Sequence, residues 1–348
     1  MQFNDRSLWV DSSFNYVHFG LKYNFMHKQF LEVPKQIRSK DIREVIEKNF
    51  VSIMPVWAPL QLAWVNNVYR TFHDYEKFMI IIFLLMKTFE TYSRNFVKLN
   101  YDEYFDQNEI EIETLNIMEI SESLNIPKET TRRKVNELEQ MGAIKRINKK
   151  IIIDRNTWPS IKPAETMKRM SRFLSSLSSI LFKEGLMLEP INSESLTKTS
   201  KEYFSFVWKL YYEMQMPFLL GYKKAFGDLE SFHVCGICLS NHALNSKKND
   251  NSEMTKEHYI EKYFFADKKD FAGINAMSIS DITGIPRATV IRKLNKLVKE
   301  KFLSIDDKKH YSSTGVHAKK ILDVQGKTLD NLSKFAARIY NLCLMKNN

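Results

Sequence analysis

A chain of 348 residues, 44% hydrophobic and 27% charged, is long enough for two or three domains with true cores, which excludes a disordered or low-complexity protein. Its longest apolar run, Phe78 to Met86, falls well short of the roughly 20 residues a membrane-spanning helix needs, and no basic-then-apolar leader opens the chain, so a cytoplasmic protein without a membrane partner is expected. Three cysteines, Cys235, Cys238 and Cys343, are too few for a disulfide framework, and a net charge of +11 favours a polyanionic partner, although the bias alone equally fits an acidic protein or a membrane surface.

In chain order, residues 1–40 are rich in Phe, Tyr and His, match nothing else in the chain and suggest no role. Residues 41–190 read as a first unit of helices enclosing a compact motif at 112–155. Within it, Ile117 to Leu124 predicts a short helix and Asn125-Ile126-Pro127 a tight turn. A second helix follows, with Thr131, Val135, Leu138 and Met141 on one face and Gly142 as its stop. Ala143 to Ile147 and Ile151 to Ile153 then form a hairpin around Asn148-Lys149-Lys150, which completes a winged helix-turn-helix. Met167, Met170, Leu174, Leu177 and Leu181 mark a closing helix, and the Ser/Thr-rich stretch Asn192 to Ser200 reads as a linker.

The second unit, residues 191–348, repeats the plan with its motif at 271–314. Met118 to Arg146 returns as Met277 to Ile305, 159 residues later, with Ser121/Ser280, Ile126/Ile285, Pro127/Pro286, Thr130/Thr289, Arg133/Arg292, Lys134/Lys293 and Asn136/Asn295 identical. A duplication retained only for packing would let exposed basic positions drift, so the shared Thr and Arg-Lys call for a chemical role. Fainter echoes upstream pair Thr71-Phe72-His73 with Ser231-Phe232-His233, and Pro59 to Trp64 with Pro217 to Tyr222. Asn245 to Ser252 reads as a surface loop, and Leu322, Leu329, Leu332, Phe335 and Ile339 as the second closing helix.

A helix entering the major groove of DNA needs long donors on its first turns, because guanine edges and flanking phosphates are acceptors. Helical spacing turns Lys128, Glu129, Arg132 and Arg133 outward with Thr130 and Lys134 beside them. The second copy offers Arg287, Thr289, Arg292, Lys293 and Lys296, with Ala288 and Ile291 where Glu129 and Arg132 stood, so the two helices should read different bases. Wing contacts fall to Lys145, Arg146, Lys149 and Lys150 in the first unit and to Lys308 and Lys309 in the second. Asp306 and Asp307 at the second tip would repel phosphate and weaken that wing unless the pair points away.

The segments Ile126 to Val135 and Ile285 to Leu294 resemble the recognition helices of bacterial winged-helix transcriptional regulators, MarR-type most of all and GntR-type similarly, over about 38 residues in each half. The resemblance implies a mainly α fold, two winged helix-turn-helix units with flanking helices and small hairpin wings. In MarR-type proteins two identical chains pair through terminal helices and occupy successive major grooves. Here both units lie in one chain, which implies an intramolecular pseudo-dimer acting as a sequence-specific regulator on double-stranded DNA. A plasmid- or phage-type replication initiator and a winged-helix protein scaffold are the alternatives, and a small-molecule effector and further oligomerisation stay open.

Other constellations are weaker. Cys235-Gly-Ile-Cys238 followed by His242 lacks the second ligand pair of a zinc site and reads as buried helix. His73 and His233 read as core or interface histidines, and Trp57, Trp64 and Trp208 as core aromatics. No glycine-rich phosphate loop, nucleophile elbow or metalloprotease motif is present, so neither an enzyme nor a cofactor is expected.

Overall fold

The structure is a computed structural model that describes residues 36–112, 116–148, 150–154, 163–246, 255–265 and 273–347; residues 1–35 of the N-terminal segment and the loop positions 247–252 lie outside them. The chain is mainly helical, with fourteen helices and two small antiparallel sheets among the described residues. None of these helices is long and apolar enough to cross a membrane.

The first half runs α1 (Ser39–Lys48), α2 (Phe50–Phe72), α3 (Tyr75–Arg94), α4 (Tyr101–Phe105), β1 (Glu109–Ile112), α5 (Ile117–Leu124), α6 (Lys128–Gln140), β2 (Ile144–Ile147), β3 (Lys150–Asp154) and α7 (Ala164–Lys183). His73 takes a left-handed φ of 50° and ends α2, after which the Asp74 carboxylate accepts from the Glu76 and Lys77 amides at 2.8 and 3.0 Å and starts α3. The sheet order is β1-β3-β2, so the hairpin gains a third strand that hydrophobic patterning had left unread. Its Glu-Ile-Glu-Ile alternation sends Ile110 and Ile112 into the core and leaves both glutamates outside.

The second half runs α8 (Ser193–Glu202), α9 (Phe204–Phe226), α10 (Leu229–Ser246), α11 (Lys256–Phe265), α12 (Ala276–Thr283), α13 (Arg287–Lys299), β4 (Leu303–Ile305), β5 (Tyr311–Ser313) and α14 (Ala318–Asn347). The expected linker at Asn192 to Ser200 is instead α8. Asn192 caps it by accepting from the Ser195 amide at 2.8 Å, and Leu196 is fully buried against α7. The expected surface loop likewise begins later, since Asn245 and Ser246 still belong to α10.

Element lengths fix the true register of the repeat. α1 and α8 both span 10 residues and α2 and α9 both span 23, each pair 154 residues apart from Ser39 to Ser193 and from Phe50 to Phe204. The upstream echoes are therefore out of register. Phe72 corresponds to Phe226, and His73 to Gly227, which shares its left-handed backbone; His233 corresponds to Met79. Thr71-Phe72-His73 and Ser231-Phe232-His233 look alike without occupying equivalent places.

The halves interlock. α3 packs along α9 and α10 along α2, and each closing helix bridges the halves, α7 touching α2 and α8, and α14 touching α9 and α1. The Tyr340 hydroxyl donates to the Leu174 carbonyl at 2.7 Å and joins the two closing helices. Tyr101 meets Phe204 edge-on at 5.3 Å, and Tyr259 meets Phe50 in the same manner at 5.7 Å. Buried residues from both halves form one continuous apolar cluster.

Candidate nucleic-acid interface

Both copies of the motif are built by the same local chemistry. Asn125, in the left-handed region, ends α5, and the Ser121 hydroxyl donates to the Ile126 carbonyl at 2.7 Å. Gly284 ends α12 likewise, and Ser280 donates to the Ile285 carbonyl at 2.8 Å. Ile126 and Ile285 are buried beneath these turns, and Pro127 and Pro286 stand at the N-caps of α6 and α13 with near-identical backbone angles. The shared Ser, Ile and Pro are thus accounted for by the turn itself.

Each motif is also anchored to the opposite half. Lys223 of α9 donates to the Asn125 carbonyl at 3.0 Å, and Arg70 of α2 donates to the Asp281 and Ile282 carbonyls at 3.1 and 3.0 Å. Both cations sit at a helix C-terminus, where orphan carbonyls and the helix dipole make each worth about 0.3–1 kcal/mol. Sequence reasoning missed this pair, because the contact links residues more than 90 positions apart.

The outward face of α6 carries Lys128, Glu129, Arg132 and Arg133 exposed, with Thr130 half-buried at its edge. On α13, Arg287, Ala288, Ile291 and Arg292 are exposed and Thr289 is half-buried. The retained lysine does not belong to that face, which corrects its assignment as a DNA contact. Lys134 is 9% exposed and its ammonium is held by the Asp74 carboxylate, with Glu137 at 3.4 Å. Lys293 repeats the arrangement, 2.6 Å from Asp228 and 3.7 Å from Glu230. Lys296 is spent similarly, donating to Asp228 and to the Phe226 carbonyl, each at 2.9 Å. These lysines bind the motif helix to the N-terminus of the helix beneath it, and freeing them for phosphate would strand a half-buried carboxylate. Burial opposes ionisation of Asp228, but hydrogen bonds from Lys293, Lys296 and the Ser231 amide outweigh it and hold the group well below the usual carboxylate range.

The two faces differ in charge. α6 contains four basic and three acidic residues, whereas α13 contains five basic and none acidic. Arg132 is bridged to Glu129 at 2.9 Å, Arg133 faces Glu137 at 3.7 Å, and Arg146 is paired with Glu139 and Asn136. The first hairpin is neutralised too: Lys145 lies 3.0 Å from Glu109 and 2.8 Å from Asp154, and Lys150 pairs with Glu111. Glu109 and Glu111 belong to the unforeseen strand β1. Such exposed pairs are worth about 0–1 kcal/mol, so a phosphate can displace them at that small cost. Arg287, Arg292, Lys308 and Lys309 have no acidic partner among the described residues. Lys149 lies outside the described residues.

At the tip of the second hairpin Asp306 and Asp307 are both exposed; the Asp306 carboxylate accepts from the His310 amide at 2.8 Å, which lowers its pKa and keeps it charged. Lys309, left-handed at φ 61°, stands exposed beside it.

The remaining sequence candidates are placed elsewhere. His73 is exposed at a helix end, while His233 is fully buried in α10 with its Nδ1 2.6 Å from the Tyr75 hydroxyl, and desolvation lowers its pKa to about 3. Cys235 and Cys238 are free, buried thiols at positions equivalent to Ile81 and Leu84, and burial pushes Cys235 up to about 12. His242 lies in the same helix, with its side chain outside the described residues. Compared with protein-family models, with curated proteins and with solved structures, the chain matches none.

Proposed function

We propose that this chain is a sequence-specific double-stranded DNA-binding transcriptional regulator, a pseudo-dimer of two winged helix-turn-helix units resembling the MarR type. α6 and α13 serve as recognition helices and the hairpins β2-β3 and β4-β5 as wings. The observation that carries the reading is that, under the same serine-locked turn and buried lysine anchor, both helices keep an exposed arginine in equivalent places, Arg133 and Arg292. The lysine is explained by packing; the arginine and its neighbours Lys128, Arg132 and Arg287 are not, and a phosphate-lined groove is what such donors fit. Reciprocal packing between the halves supports a fixed separation of the two helices within one chain. Glu129 against Ala288 and Arg132 against Ile291 favour half-sites of different sequence.

The test is selection of bound duplexes from a random DNA pool by the purified chain at low and near-physiological salt. Enrichment of a bipartite, imperfectly symmetric motif is expected. DNA retained only at low salt with no motif would reduce the basic faces to counterion-release binding and overturn sequence-specific regulation.

A further inference from the structure

The repeat breaks its own symmetry in the core. Between α2, α9, α10, α11 and α14 lies a cavity of about 140 Å³, comparable to engineered apolar cavities that hold a single aromatic ring. Among its lining residues are Met54, Trp57, Ala58, Gln61 and Gly236, and no charged side chain lines it among the described residues. At the equivalent place in the other half the space is filled, because Trp208 stands for Met54 and Tyr212 for Ala58. Trp208 stacks on Tyr211 at 4.8 Å and meets Tyr212 edge-on at 6.1 Å.

The same asymmetry strands a polar group. Gln215 donates to the Tyr211 hydroxyl at 3.0 Å. Its counterpart Gln61 has Trp57 where that tyrosine would be, and both its amide nitrogen and its amide oxygen are buried without a hydrogen-bond partner. Gln61 is only 4% exposed. A buried primary amide offers one acceptor oxygen and two donor hydrogens, and is matched by another amide that presents a carbonyl and an N–H side by side. A carboxylate would bring a charge into a lining that holds no cation.

We propose that this cavity is a binding site for an uncharged, ring-sized apolar molecule bearing a carboxamide or lactam group, which pairs with the Gln61 amide while its ring occupies the space left by Met54 and Ala58. The site is independent of the DNA-binding reading. It also assigns Gln61 a role that core packing alone does not give it.

The experiment titrates the full chain, without DNA, with benzamide and with toluene at millimolar concentration, followed by calorimetry and tryptophan fluorescence. Saturable binding of benzamide, tighter than that of toluene, is expected. Gln61→Leu should weaken benzamide about tenfold and leave toluene unchanged, as loss of a paired amide contact requires. Met54→Trp, which installs the other half's residue, should abolish binding of both. Absence of saturable benzamide binding, or benzamide binding unchanged in Gln61→Leu, would overturn the proposal; should Met54→Trp fail to fold, the glutamine variant decides alone.

Discussion

The Lys293 ammonium lies 2.6 Å from the Asp228 carboxylate, and the contact between Lys134 and Asp74 repeats it in the other half. One ion pair, used twice, seats each candidate recognition helix on the helix beneath it. Both lysines were candidates for DNA contact, and their burial changes what their removal should do. Lys134→Met should lower stability by about 2 kcal/mol, since it leaves the half-buried Asp74 carboxylate without its cation, and Lys293→Met by less, since Lys296 stays 2.9 Å from Asp228. Chemical denaturation measures the loss, and DNA affinity under fully folded conditions should change less than it does for the exposed arginines.

The same pair sets an acid dependence. Asp228 titrates below its unfolded value of about 4. Its contribution is complete above that value and is lost as pH falls from about 4 through the lower native value. Asp228→Asn should therefore be less stable than the parent at pH 7, with the gap narrowing below about pH 4 in denaturation series.

His233 acts in the same direction over a higher window. Its native value near 3 lies below the ordinary histidine value of about 6.5, so the unfolded chain takes up the proton first, and stability falls as pH drops from 6.5 towards 3. The slope due to this group approaches about 1.4 kcal/mol per pH unit. Met79 fills the equivalent buried position in the first half, so His233→Met should flatten the stability curve between pH 6 and 4 to roughly the slope left by the other groups. An unchanged slope would remove His233 from the account.

Lys301 occupies the helix-ending position that Gly142 holds in the first copy, with φ 61° against 73°. A lysine pays for the left-handed backbone where glycine does not. Lys301→Gly should raise stability by about 1 kcal/mol, visible as a higher denaturation midpoint.

The charge difference between α6 and α13 predicts unequal partners in DNA binding. Arg287→Ala with Arg292→Ala should weaken binding more than Arg132→Ala with Arg133→Ala, because the first pair has no acid to displace among the described residues. The α13 double variant should also lower the slope of log affinity against log salt by about 2, measured by fluorescence anisotropy.

What the sequence made legible follows from which physics it writes in letters. The helices α5, α6, α12 and α13 and both hairpins stand where periodicity, the Pro-bounded turns and Gly142 place them. The register of the upstream repeat was hidden, because a buried position accepts Met79 or His233 alike and leaves no identity to align. α8 passed for a linker since Leu196 is its one large apolar residue, the buried Thr199 and Ser200 making up the rest of its packed face. The lysines misled because Arg133 and Lys134 are neighbours in sequence but point 100° apart on a helix, one to solvent and one to Asp74. β1 could have been read from Glu-Ile-Glu-Ile, although four residues alternate too briefly to stand out.

The most direct test of two recognition helices in one chain is a hydroxyl-radical footprint on a selected duplex, with chain and duplex at equal concentration and the stoichiometry confirmed by sedimentation. One chain should protect two patches on the same side of the DNA, centred about 10 base pairs apart, with Arg133→Ala fading one patch and Arg292→Ala the other. A single patch, or two patches that require two chains, would contradict the intramolecular pseudo-dimer.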